Sequence, residues 1–98
     1  MTKEAFILSL SESQPPTDCG DCLKALWHDA NGNWHLSHEL VQDLSTAEAA
    51  WVHAYLHRKE GDLGNAGYWY ARAGKKKPAA GVTLADEWAS LARELLAR

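Results

Sequence analysis

The chain is short of the residues that build sheets and of those that build cross-links. Val, Ile and Thr together supply only eight of its 98 residues, which argues against a strand-based core. It has two cysteines, Cys19 and Cys22, too few for a disulfide scaffold and expected to stay reduced. Long apolar runs are missing as well. The longest near the N-terminus is Ala5-Phe6-Ile7-Leu8, far below the ~20 residues of a membrane span or the apolar centre of a secretory signal. No membrane association is expected, and the cytosol is the expected location. Cationic charge is also scarce. The formal net charge is −3, and Lys75-Lys76-Lys77 is the only basic run, so a nucleic-acid partner is not expected. No cofactor is expected either.

What the chain does have is Ala and Leu, 29 residues between them. These straight-chain and small helix formers predict an all-α fold, and the length suits a single domain over residues 1–98. Five tryptophans, Trp27, Trp34, Trp51, Trp69 and Trp88, supply either a dense core or an aromatic binding surface.

Local signals divide the chain into six helices. A short one is expected over Thr2 to Leu10, broken by Pro15-Pro16. A second runs from about Cys19 to Ala30 and stops at Asn31-Gly32-Asn33, where Gly32 suits a left-handed C-terminus and Asn33 caps the next helix. The third covers about Trp34 to Leu44. Ser45 with Glu48 resembles a capping box opening a fourth helix, roughly Thr46 to Glu60. Gly61-Asp62 repeats the stop-and-cap chemistry before a fifth helix, Leu63 to Ala73, closed by Gly74. Lys75 to Lys77 then suit the negative end of its dipole as a solvated cluster. Thr83 with Asp86 caps a last helix with Leu84, Trp88, Leu91 and Leu95 on one stripe.

Sliding the chain on itself by 29 residues superimposes Ala25 on Ala54, His28 on His57 and Gly32 on Gly61, with Asn33 on Asp62 and Ser37 on Ala66. The pattern describes two successive helical hairpins. The segment Gly61-Asp62-Leu63-Gly64-Asn65-Ala66-Gly67-Tyr68-Trp69-Tyr70-Ala71-Arg72-Ala73, closing at Pro78, resembles the second half of a tetratricopeptide repeat, and Ala54 stands where that family places a small residue in its first helix. The first hairpin departs from the pattern in its spacing and in Leu44, which replaces the second alanine. A second resemblance rests on His53-Ala54-Tyr55-Leu56-His57-Arg58-Lys59-Glu60-Gly61-Asp62, then Asn65-Ala66 and Tyr68-Trp69-Tyr70, and on Leu26-Trp27 through His38-Glu39. These strings are similar to a group of short bacterial proteins; that likeness implies a compact helical protein and supplies no activity. Together the resemblances imply about two tetratricopeptide-like antiparallel hairpins, with the N- and C-terminal helices capping the ends of the stack.

Histidine is the residue type on which function is best sought. His53 and His57 lie about 40° apart around a helix, and two imidazoles at that spacing can chelate a metal. Ala54 follows His53 where a zincin has Glu, so metalloprotease chemistry is not expected. By the repeat alignment His28, His53 and His57 occupy core-facing positions, where an unsatisfied imidazole costs roughly 1–3 kcal/mol. Three readings follow: a satisfied polar network involving His38, Glu39 or Tyr70; a ligand or partner site around His53, His57, Glu60 and His38; or a metal site on His53 and His57. Asn65, Tyr68 and Arg72 share one face of the fifth helix and form a candidate recognition strip, since Tyr and Arg are favoured in hot spots. Cys19-Gly20-Asp21-Cys22 lacks both a thioredoxin context and zinc-finger spacing; at a helix N-terminus the dipole is expected to lower a thiol pKa.

The expected function is a non-enzymatic interaction module with an unidentified protein or peptide partner, a homodimer being one form this takes. The alternative is a small ligand- or metal-binding protein, with or without catalysis, centred on His53 and His57. Trp27, Trp34, Trp69 and Trp88 are expected in the core.

Overall fold

A computed structural model describes residues 1–97. Among them every regular element is helical: α1 (Lys3–Ser9), α2 (Asp21–Ala30), α3 (Trp34–Gln42), α4 (Ala47–Glu60), α5 (Leu63–Ala73) and α6 (Leu84–Leu96). The radius of gyration is 12.5 Å, close to the ~13 Å of a folded chain of about 100 residues.

Three helices end the same way. Asn33 N donates to His28 O, Asp62 N to His57 O and Lys75 N to Tyr70 O, each beside a glycine whose own amide closes the inner turn. Gly32, Gly61 and Gly74 have φ of 83°, 88° and 69°, the left-handed conformation of the Schellman ending. In the first two cases the next helix starts at once. Asn33 accepts from Leu36 N and Asp62 from Asn65 N through their side chains. The 29-residue internal repeat is therefore a repeated piece of turn geometry, which folds α2 onto α3 and α4 onto α5.

The starts and stops differ from expectation in places. Thr46, not Ser45, accepts from Ala49 N and opens α4; two adjacent hydroxyl residues offer the same chemistry one register apart. Gly20 is the N-cap of α2, so Cys19 lies before the helix. α3 stops at Gln42, leaving Leu44 exposed beyond its end. Thr83 and Asp86 form the expected reciprocal box on α6.

The terminal helices cover the hairpins from one side. α6 lies across α2 and α4 together, and α1 packs on α6. Phe6 stacks on Trp88 with ring centroids 6.0 Å apart. α4 is thus contacted by α2, α3, α5 and α6. Phe6, Leu26, Val41, Val52, Leu56 and Leu91 are fully buried.

The tryptophans work as staples as much as filler. Only Trp27 is buried outright; Trp34, Trp51, Trp69 and Trp88 are half-buried. Four indole N–H groups donate across the fold: Trp27 to Ser9 O, Trp34 to Leu56 O, Trp51 to Glu87 and Trp88 to Leu26 O. Among the described residues no helix is long and apolar enough to cross a membrane.

Candidate functional site

The site follows from α4 being surrounded. A helix touched on four sides has no wholly solvent-facing stripe, so polar residues one turn apart are carried inside. His53 and His57 are both buried, with imidazole centroids 4.8 Å apart and rings nearly parallel. α3 brings His38 to them: His38 Nε2 lies 2.9 Å from His53 Nε2. α5 brings Trp69, which stacks on the His53 ring at 4.0 Å. Trp34 stacks on His38 at 4.9 Å and meets His57 edge-on at 6.1 Å. Three imidazoles from two helices are thus held between two indoles.

Hydrogen bonding fixes part of the protonation pattern. Glu60 Oε1 lies 2.6 Å from His57 Nδ1. An ionised carboxylate only accepts, so Nδ1 carries the hydrogen and a neutral His57 keeps its Nε2 lone pair. Between His38 and His53 one Nε2 donates and the other accepts. Either way His53 Nδ1 is left buried without a partner, as an orphan N–H or an orphan lone pair. The lone pair is the cheaper orphan, which favours His53 as donor. Burial, followed by the neighbouring His38 and His57, pulls the His53 pKa down to about 4. His38 is also lowered, by desolvation and then His57, with Glu60 opposing. Both are neutral imidazoles near pH 7. A fully satisfied polar network, the first of the three readings, is not what α3 and α4 build.

The structure therefore unites His38, His53, His57 and Glu60. Tyr68 and Arg72 join them indirectly through Trp69. The Arg72 guanidinium sits 5.8 Å from the Tyr68 ring centre and 5.4 Å from that of Trp69, and Nη1 donates to the Tyr68 hydroxyl at 3.3 Å. Asn65 is exposed and tied to its own helix cap, Asp62, at 3.1 Å. His28 is only half-buried, a correction to its expected core position. Glu39 and Tyr70 are not hydrogen-bonding partners of the histidines: Glu39 is exposed and Tyr70 donates to Glu87 at 2.6 Å.

Two further expectations are corrected. Burial raises the Cys19 thiol, and it pushes Cys22 up to about 11 with help from Glu48 and Asp21. Desolvation thus outweighs the helix dipole. Lys75 is not simply solvated: its ammonium lies 4.3 Å from the Trp51 ring centre and 3.2 Å from Glu94.

Two buried carboxylates escaped sequence reasoning. Glu87, 3% exposed, accepts from Trp51 Nε1 at 3.1 Å, Arg58 Nη1 at 2.9 Å and Tyr70 at 2.6 Å. Arg58 also donates to Val82 O. Asp29 accepts from Tyr55 at 2.8 Å and Lys59 at 2.8 Å, beside a cleft of about 380 Å³ walled by Leu10, Leu84 and Trp88. The signal was there: Glu87 lies between Leu84 and Leu91 on the apolar stripe of α6, and Asp29 follows Leu26 by one turn. The roles of Trp34 and Trp69 at the histidines were also missed, because helical spacing marks a packing position without saying what it packs on.

Comparison with known families, curated proteins and solved structures returns no match to this chain.

Proposed function

We propose that the chain is a non-enzymatic interaction module of tetratricopeptide-like hairpins, which recognises a partner polypeptide through the face formed by α3, α4 and α5. The observation that carries this reading is the Tyr68–Trp69–Arg72 strip. Tyr68 is 55% exposed in the middle of α5, yet it is held by Arg72 and meets Trp69 edge-on at 5.1 Å. An exposed aromatic and an exposed guanidinium, held in place by each other before any partner arrives, lose little freedom on binding. The other broad face, formed by α2 and α4, is covered by α6; a peptide bound there would have to displace the chain's own helix.

Catalysis has less support. The hydrogen-bonding partners of the three clustered imidazoles are one another and Glu60, and no hydroxyl or thiol nucleophile is among them. A cytoplasmic setting suits the reading, since both thiols are free and a reducing compartment keeps them so.

The chemistry of the strip selects a segment that sets a carboxylate beside an aromatic or aliphatic side chain. The carboxylate meets Arg72, and the apolar group lies on Tyr68 and Trp69. Peptide display against the purified protein tests this. Selected peptides should carry that pair and lose about tenfold or more in affinity, roughly 1.4 kcal/mol, on Arg72→Glu or Tyr68→Ala. Peptides that bind both variants as well as the parent refute the assignment. Sedimentation equilibrium decides whether the occupant is a second copy: a dimer that Arg72→Glu dissociates places the homodimer on this face.

A further inference from the structure

We infer that His38, His53 and His57 form a three-imidazole site for a divalent transition-metal cation of the zinc class, with Glu60 as the positioning residue behind His57. This goes beyond partner binding and is tested on the protein alone.

The first ground is convergence. One nitrogen from each of the three rings lies within 4.8 Å of the others. Zinc–imidazole bonds of ~2.0–2.1 Å in a tetrahedron set ligand nitrogens about 3.3 Å apart. The His38 and His53 nitrogens at 2.9 Å need to part by only a few tenths of an ångström. The His57 nitrogen lies within 4.8 Å of the other two and has up to about 1.5 Å to close to reach the tetrahedral spacing. His38 is half-buried and sits on a neighbouring helix, so it is the ligand free to adjust.

The second ground is the arrangement behind the ligands. Metal-bound histidines regularly give their other N–H to a carboxylate, which fixes the tautomer and raises the basicity of the ligating nitrogen. Glu60 does this to His57 Nδ1 at 2.6 Å, which leaves Nε2 as the donor atom. The other His53 nitrogen, Nδ1, is buried without a partner; ligation through Nε2 puts the ring's hydrogen there, the tautomer a neutral imidazole ligand takes. Trp34 and Trp69 then wall the site against water on two sides, and three neutral ligands leave a fourth coordination position open.

The donor set also sorts the cations. Imidazole suits zinc, copper and nickel, while magnesium and calcium need oxygen ligands. Glu60 and Asp62 form a second group with His57, but both are exposed, and His57 Nδ1 is already committed to Glu60.

The experiment is calorimetric titration of the untagged protein with zinc chloride at neutral pH, repeated with magnesium chloride. One zinc ion should bind per chain and magnesium should not. Cobalt(II) in the same site should give the visible absorption bands of a tetrahedral ion. His53→Gln and His38→Gln should abolish zinc binding, and Glu60→Gln should weaken it by roughly 10–100-fold. Absence of zinc binding by the parent overturns the inference. So does zinc binding unchanged in His38→Gln, which would place the ion on other histidines. If His53→Gln fails to fold, half-buried His38 and exposed Glu60 still decide the matter, with circular dichroism confirming that those variants are helical.

Discussion

Replacing Glu87 with alanine probes the contact that ties three helices together. The carboxylate on α6 holds Trp51 and Arg58 of α4 and Tyr70 of α5. Removing it leaves Arg58, whose side chain is 20% exposed, without its acid, and strands a buried phenol and an indole N–H. Breaking a buried ion pair by deleting one partner costs about 3–5 kcal/mol, and an unpaired neutral donor costs about 1–3 kcal/mol. These terms overlap because the same cavity relaxes for all three donors, so the expected loss is about 4 kcal/mol. A chain of this length has roughly 5–15 kcal/mol of total stability, so Glu87→Ala should sit near the edge of folding at 37 °C. Glu87→Gln keeps an acceptor without the charge and should lose about half as much. Urea unfolding, followed by tryptophan fluorescence and far-ultraviolet circular dichroism, measures both. A loss below about 1 kcal/mol for Glu87→Ala would refute the claim that this carboxylate anchors α6. A triple replacement, Glu87→Leu with Arg58→Met and Tyr70→Phe, should recover most of the loss, since the penalty lies in stranded polar groups rather than in a missing attraction.

Other outcomes can be read with similar means. Gly61→Ala forces an alanine into φ of 88° and should destabilise by about 1–2 kcal/mol in urea melts. Cys22, held at about 11, should react with iodoacetamide at pH 8 roughly a hundredfold more slowly in the folded than in the urea-unfolded chain. The same shift fixes the sign of the alkaline response. Folding raises the pKa values of Cys22, Tyr55 and Tyr70, so the unfolded chain sheds protons first, and stability present at neutral pH is lost as pH climbs from about 9 through 11. A urea midpoint that holds steady across that window would contradict it.

Local chemistry was the legible layer. The bounds of α5 could be read residue for residue, because Gly61-Asp62 and Gly74 are unambiguous stop and cap signals. Ser45-Thr46 was ambiguous by one register, since either hydroxyl can cap. The burial of His53 and His57 was readable from the repeat, but the way they are satisfied was not. His38 comes from another helix and Trp69 from a third, and no local pattern records which helices α4 will touch. The burial of Asp29 and Glu87 could be read from their stripes, but their partners could not: these lie 26 to 36 residues away, apart from Tyr70 at 17. α6 is held to α2 by Trp88 on Leu26 O and to α4 by Glu87 with Trp51 and Arg58, all long-range bonds of the same kind.

That position has a consequence for how the molecule is made. Trp88 reaches back 62 residues to the Leu26 carbonyl, and Leu91 shares one apolar cluster with Leu26, Val52 and Leu56. During synthesis both hairpins can close while the face they share is still wet, because the helix that covers it emerges last of the six. Until then the nascent chain leaves open the apolar face of α2 and α4 that α6 covers. Two chains caught at that stage can exchange their sixth helices, each completing the other with the same bonds. Slow synthesis or a weakened Glu87 anchor should favour such swapped dimers over the monomer.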